Sequence, residues 1–89
     1  VRPFILGEST YEGEHDAMGS ALQARKQAWW AVLSGACGHS YGSPFWKGDA
    51  QWRTYLDLPG ANTLKHLNAL FATFDWTTLV PDATGELLT

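Results

Sequence analysis

The order of the predicted secondary-structure elements constrains this chain more than any other feature. Residues 3–8 form an apolar run that ends in a carboxylate, which predicts a short strand buried on both faces. Residues 36–41 predict a second strand, smaller and more polar. A helical pattern follows each strand, and such alternation is typical of parallel strands joined by helical crossovers. We therefore expect an α/β fold.

Both predicted helices carry recognisable start signals. Ser20 can act as the N-cap of a helix over residues 20–34, which has an apolar stripe on one side. Gly35 follows directly, as is common at the C-terminal end of a helix. Pro59 suits the first turn of a second helix, whose apolar residues recur at three- and four-residue spacing through Phe74.

A chain of 89 residues with two strands cannot complete such a fold alone. Two parallel strands do not make a sheet that buries both of its faces. Domains of this size also bury only about 60–65% of their unfolded surface, so the core would be marginal. Because 45% of the residues are hydrophobic and 17% are charged, the composition is nevertheless that of a globular protein. We expect the missing strands to come from a longer chain or from another chain.

Charge and cysteine content exclude several classes of protein. The net charge is −3 and the six Lys and Arg are scattered, so no nucleic-acid partner and no anionic membrane partner is expected. The longest apolar runs are shorter than the ~20 residues of a membrane span. Cys37 is the single cysteine, which excludes a disulfide framework and a multi-cysteine zinc site.

Candidate functional side chains lie at the predicted strand ends. Glu8 ends the first strand, and His39 and Tyr41 end the second. In parallel α/β folds the active site forms at the carboxyl ends of the strands, so these groups are expected on one rim. Trp46, in the long predicted loop over residues 42–59, could stack on a sugar ring. Position alone leaves Glu8 open to a second interpretation, a solvated carboxylate that caps backbone N–H groups or pairs with Arg2 or Arg25.

The sequence also offers residues for two other kinds of site. A metal centre could draw on His15, Asp16, His39 and His66, but their spacing does not make three ligands converge, so no metal is expected. Residues 38–42 read Gly-His-Ser-Tyr-Gly, the spacing of an esterase nucleophile elbow. That motif needs a helix directly after the Ser, and a Pro-containing loop follows here instead. The chemistry is therefore not expected to be that of an esterase.

Several segments together resemble the apiosidase-like glycoside hydrolases, and the resemblance covers nearly the whole chain. The most specific segments are Glu8 with Tyr11 and Glu12, and the Gly-His-Ser-Tyr-Gly run over residues 38–42. Further similar segments are Pro3–Glu8, Arg25–Trp30, Leu33–Gly42, Trp46, Trp52, Leu56–Ala61, Trp76 and Leu79–Asp82.

The resemblance implies a fold and a reaction. The fold would be a (β/α)8 TIM barrel, of which this chain is strand 7, helix 7, strand 8 and helix 8. Residues 1–80 would form this quarter of the barrel, and residues 81–89 would lead out of it. The reaction would be retaining hydrolysis of a plant or bacterial polysaccharide by two carboxyl groups, with no cofactor. The parent protein would be extracytoplasmic or periplasmic.

The resemblance also implies roles for single residues. Glu8 would be the nucleophile, with Glu12 as the competing assignment. The acid/base would come from strand 4, which this chain lacks, so the chain needs the rest of the barrel in cis or in trans and is expected to be inactive alone. The carbohydrate would be contacted by Tyr11, Glu12, His39, Tyr41 and Trp46.

Two alternatives without catalysis remain open from the sequence. The chain could be a stand-alone carbohydrate-binding module that uses Trp46, Trp52 and Tyr55. It could also be a structural interaction module whose two amphipathic helices complete a partner's barrel.

Overall fold

The computed structural model describes residues 2–14 and 19–87, and it confirms the predicted alternation of strands and helices. Within these described residues, short 3-10 helices accompany two strands and two α-helices. The main elements are β1 (Ile5–Leu6), α1 (Ala21–Leu33), β2 (Gly38–His39) and α2 (Pro59–Phe71), and the 3-10 helices are Pro44–Lys47, Trp52–Asp57 and Trp76–Thr78.

The two strands pair in parallel, as the alternation predicted. Ile5 lies opposite Gly38 and Leu6 lies opposite His39. The amide of Ser40 donates to the Leu6 carbonyl at 2.9 Å, beyond which the first segment turns away into a loop. Both strands are therefore shorter than the predicted runs. The result is a mixture of helices with a small two-stranded sheet, which is compatible with a fragment of a larger α/β fold.

Helix α1 begins and ends where local signals placed it. The Ser20 hydroxyl accepts a hydrogen bond from the Gln23 amide at 3.1 Å, which confirms Ser20 as the N-cap. Gly35, just past the helix, has φ of 102°, a left-handed conformation that favours glycine. The buried face of α1 consists of Ala24 and Ala28, whose small side chains allow α2 to approach closely.

Helix α2 begins at Pro59 as predicted, but it ends at Phe71 rather than at Phe74. The Thr73 amide donates to the Leu70 carbonyl in a tighter turn, and this turn brings the Phe74 ring to 5.3 Å from the Phe71 ring. Phe74 therefore contacts Phe71, as its spacing suggested, although it lies outside the helix. For this reason the apolar periodicity alone could not locate the C-terminal end of α2.

The core between the two helices is small. It is built on Ala28, Leu67 and Phe71, and partly buried Trp29, Val32 and Leu64 surround it. Large apolar side chains remain exposed elsewhere; Ile5, on β1, is 59% exposed. A chain that exposes its own strand to this extent has apolar surface available for a further layer. Within the described ranges, no helix is long and apolar enough to cross a membrane.

Candidate active site

The loop that follows β1 forms one wall of an open cleft. Glu8, Tyr11 and Glu14 lie on this loop, and Trp46 faces them from the 3-10 helix Pro44–Lys47. The cleft has a volume of about 840 Å³ and lies at the carboxyl end of β1. It is lined by Leu6, Glu8, Ser9, Thr10, Tyr11, Glu14, Gln27 and Trp46.

Glu8 offers an exposed carboxylate to this cleft. Its contact within the loop is with Tyr11, whose hydroxyl donates to Glu8 Oε1 at 3.4 Å. The negative charge of Glu8 raises the pKa of Tyr11, because a phenolate beside a carboxylate is disfavoured. Partial burial, this hydrogen bond and the charge of Glu14 add to the same shift. Tyr11 is therefore held in its protonated form, as a hydrogen-bond donor to Glu8.

Gln27, on helix α1, forms hydrogen bonds with the middle of the loop that follows β1. The Thr10 amide donates to Gln27 Oε1 at 2.9 Å, and Gln27 Nε2 donates to the Thr10 carbonyl at 3.0 Å. The side-chain amide thus satisfies both backbone groups of Thr10, as a neighbouring strand would. Near the start of the loop, the Ser9 hydroxyl donates to the Ser40 carbonyl at 3.2 Å. These bonds fix the backbone between Glu8 and Tyr11.

Glu12 is buried, with only 4% of its surface exposed, and its carboxylate lies at the first turn of α2. The amides of Gly60 and Ala61 donate to it at 2.8 Å and 3.1 Å. Leu58 precedes the helix and has no polar side chain, so Glu12 supplies the cap from a distant loop. Negative charge at a helix N-terminus is also favoured by the helix dipole. The carboxylate therefore has a structural role.

Tyr41 completes the hydrogen-bonding of Glu12. Its hydroxyl donates to Glu12 Oε1 at 2.7 Å. Burial, followed by this bond and the charge of Glu12, raises the pKa of Tyr41 far above its usual value. The backbone amide of Glu12 also donates to the Gly42 carbonyl at 2.9 Å. The loop after β1, the segment after β2 and the start of α2 therefore meet at one buried carboxylate.

Trp46 presents its ring to solvent at the edge of the cleft, where it is 66% exposed. Its indole Nε1 donates to Glu14 Oε1 at 3.3 Å. Lys47 Nζ lies 3.8 Å from the same oxygen and 5.8 Å from the Trp46 ring centroid. An exposed aromatic ring beside a carboxylate offers both a stacking face and a hydrogen-bond acceptor.

His39 and Tyr41 lie away from this cleft and line a second cavity of about 470 Å³, between β2 and α2. His39 Nε2 is buried and makes no hydrogen bond within the described residues. Burial lowers the pKa of His39, because the charged imidazolium is disfavoured there. The structure thus brings Glu8, Tyr11 and Trp46 together, and a sugar contact by His39 and Tyr41 stays a prediction.

The structure also bears on the metal and esterase alternatives. His15 and Asp16 lie outside the described residues, and His66 is exposed on α2. Over residues 2–14 and 19–87, no three His, Cys, Asp or Glu side chains form a group that could hold a metal ion. The first helical segment after Ser40 is the 3-10 helix Pro44–Lys47, so Ser40 does not occupy a strand-to-helix elbow.

Two residues of the cleft, Glu14 and Gln27, were missed by sequence reasoning. Glu14 belongs to a polar loop with several acidic side chains, and Gln27 belongs to the polar side of α1. Both make their contacts across the fold, over separations of 32 and 17 residues. No local pattern could have singled them out.

Fold and cleft together define an α/β protein with a candidate active site at the carboxyl end of a parallel strand. Residues 1–78 match the family described as apiosidase-like, catalytic domain. The chain belongs to this family, and the resemblance noted in the sequence is confirmed. The family indicates a function related to glycoside hydrolases and a carbohydrate substrate. No match was found among curated proteins or among solved structures.

Proposed function

We propose that this chain carries the nucleophile, Glu8, of a retaining glycoside hydrolase that acts on a plant or bacterial polysaccharide. The observation that supports it is the exposed Glu8 carboxylate in the cleft that also contains Tyr11 and Trp46. A nucleophile must be reachable by the substrate, and an adjacent aromatic ring suits the apolar face of a sugar.

The contacts of the two carboxylates favour Glu8 over Glu12 as the nucleophile. Glu8 is exposed in the cleft and accepts one long hydrogen bond. Glu12 is buried, and both of its oxygens accept bonds from other parts of the chain. Attack by Glu12 would require it to leave the N-terminus of α2. In this proposal Glu12 enters the site as a positioning residue rather than as a substrate contact.

The proposed reaction has two steps. Glu8 attacks the anomeric carbon and forms a glycosyl-enzyme ester as the glycosidic C–O bond breaks; a carboxylic acid protonates the leaving oxygen. The acid, now a carboxylate, then takes a proton from a water molecule. The oxygen of this water attacks the anomeric carbon, and the bond between the sugar and Glu8 breaks. Retention places the two carboxyl groups about 5–5.5 Å apart. The Tyr11 hydroxyl orients Glu8, and Trp46 holds the sugar.

We propose that residues 1–80 are strand 7, helix 7, strand 8 and helix 8 of a (β/α)8 barrel, and that residues 81–89 lead out of it. The remaining strands, in cis or in trans, would supply the acid/base. Support comes from the parallel pairing of β1 with β2 and from the exposed apolar side chains on and beside β1, Phe4 and Ile5. A completed barrel would cover these side chains.

The alternative of a stand-alone carbohydrate-binding module has less support. Trp52 was one of its expected stacking faces, but the Arg53 guanidinium lies 4.2 Å from the centre of that ring. The Phe45 ring also contacts Trp52, edge to face, at 6.1 Å. Trp52 is therefore engaged within the chain, whereas Trp46 lies in the cleft that holds the exposed Glu8 carboxylate.

The test compares Glu8→Gln with Glu86→Gln in the complete protein. Glu86 is an exposed carboxylate near the C-terminal end, so its variant makes the same chemical change far from the cleft in sequence. We expect Glu8→Gln to abolish turnover of polysaccharide, with sugar binding and Tm retained, and Glu86→Gln to keep full turnover. Normal turnover by Glu8→Gln would refute the assignment.

A further inference from the structure

We propose that Glu14 is a substrate-binding residue of the cleft, which fixes the Trp46 ring and accepts a hydrogen bond from a hydroxyl group of a neutral sugar. This inference rests on the proposed function, because it concerns the sugar that the same cleft would hold. Neither the sequence pattern nor the family match singles out Glu14.

One oxygen of Glu14 is engaged with the aromatic wall of the cleft. Oε1 accepts the Trp46 indole N–H at 3.3 Å, and Lys47 Nζ lies 3.8 Å away. A hydrogen bond to a charged acceptor is stronger than one between neutral groups. A ring that is 66% exposed has little packing to hold it, so this bond sets the orientation of the stacking face.

The other oxygen of Glu14 is available to a ligand. Oε2 makes no hydrogen bond within residues 2–14 and 19–87. The Glu14 side chain is 20% exposed, and it lines the cleft with Glu8 and Trp46. A sugar stacked on an indole directs its hydroxyl groups outward from the ring edge. A carboxylate that is hydrogen-bonded to that indole N–H lies at this edge. There it can accept a hydrogen bond from such a hydroxyl group.

The charges that the described residues bring to the cleft favour one class of sugar. Glu8 and Glu14 both line it, no Lys or Arg is among its described lining residues, and Lys47 is paired with Glu14. A uronic acid on Trp46 would bring a third carboxylate next to these two, which is unfavourable. A neutral sugar ring gains the stacking and the hydrogen bond without this repulsion. The Trp46 position is therefore selective for a neutral ring.

The experiment measures binding of two matched probes to the complete protein by saturation-transfer NMR. Methyl α-D-galactopyranoside and methyl α-D-galactopyranosiduronate share one ring and differ at C6, where the second carries a carboxylate. We expect the wild type to bind the neutral probe more tightly. Glu14→Gln should weaken this binding about tenfold, as expected for loss of a charge-assisted hydrogen bond. Glu86→Gln, the matched control, should bind as the wild type does.

A purely structural role of Glu14 is distinguished by two further measurements. Glu14→Gln is nearly isosteric and should leave Tm unchanged while affinity falls, and Trp46→Phe should lose affinity to a similar degree. Unchanged affinity in Glu14→Gln, equal or tighter binding of the anionic probe, or no binding of the neutral probe would each overturn the inference. Turnover plays no part in this readout. Failure of Glu8 as the nucleophile would therefore leave the result for Glu14 interpretable.

Discussion

The Glu12 carboxylate joins Tyr41 to the first turn of α2. Its Oε1 accepts the Tyr41 hydroxyl at 2.7 Å and the Ala61 amide at 3.1 Å. Glu12 lies four residues after Glu8, on the loop that carries the cleft. Through this one side chain, the position of the cleft wall depends on the segment after β2 and on the start of α2.

Glu12→Gln is expected to destabilise the protein by about 1–3 kcal/mol, the usual cost of leaving buried polar groups without good partners. Gly60 and Ala61 donate to different oxygens of Glu12, and Gln keeps only one of these acceptors, so its NH2 would face the N–H of one of the two residues. The measurement is Tm of the complete protein, with Glu86→Gln as the matched control. Equal Tm values for the two variants would contradict the capping role.

Gly60→Ala is expected to destabilise through the same contact. A Cβ at position 60 would collide with the Glu12 carboxylate, whereas a Cβ at Gly7 would meet no atom of the described residues within 4 Å. The collision must displace either the carboxylate or the first turn of α2. The measurement is the Tm of Gly60→Ala against that of Gly7→Ala, which should stay near the wild type. A fall in Tm for both variants alike would argue against a specific collision.

Removal of the Glu8 charge is expected to lower the pKa of Tyr11. That pKa is raised above 10.0 mainly because the carboxylate opposes formation of a phenolate. In Glu8→Gln the main cause is gone, so tyrosinate should form at lower pH. The measurement is the absorbance rise near 295 nm during alkaline titration, with Tyr11→Phe identifying the contribution of this residue. An unchanged titration curve would mean that the two side chains do not interact.

His39 is expected to make the protein less stable in mild acid. Burial holds the pKa of His39 in the folded state below its ordinary value of 6.5. The unfolded chain binds the proton first as the pH falls through 6.5, so stability decreases from there down to the folded pKa. The measurement is Tm at pH 7.5 and pH 5.5 for the wild type and for His39→Gln. The difference between the two Tm values should be smaller in the variant, and equal differences would contradict the prediction.

Local signals allowed much of the fold to be predicted from the sequence. Ser20, Gly35 and Pro59 mark helix ends through their own hydrogen bonding or backbone preference, and all three lie where they were expected. The end of α2 was predicted too late, because Phe74 retains its contact with Phe71 after the helix has ended.

The cleft was less predictable because its contacts join distant parts of the chain. Glu8 and Trp46 could be proposed from strand position and residue type. Glu12 could not be recognised as a cap, because its partner Gly60 is 48 residues away. The same limitation applies to Glu14 and Trp46, which are separated by 32 residues.

Because α2 receives its cap from another segment, the loop after β1 is not an interchangeable unit. A loop transplanted from a relative to change substrate preference would have to keep Glu12, or it would leave the first amides of α2 unsatisfied. It would also require Gly60 and Tyr41 in the recipient, although both lie outside the exchanged segment. Engineering of this cleft should therefore exchange the loop, the segment after β2 and the first turn of α2 together.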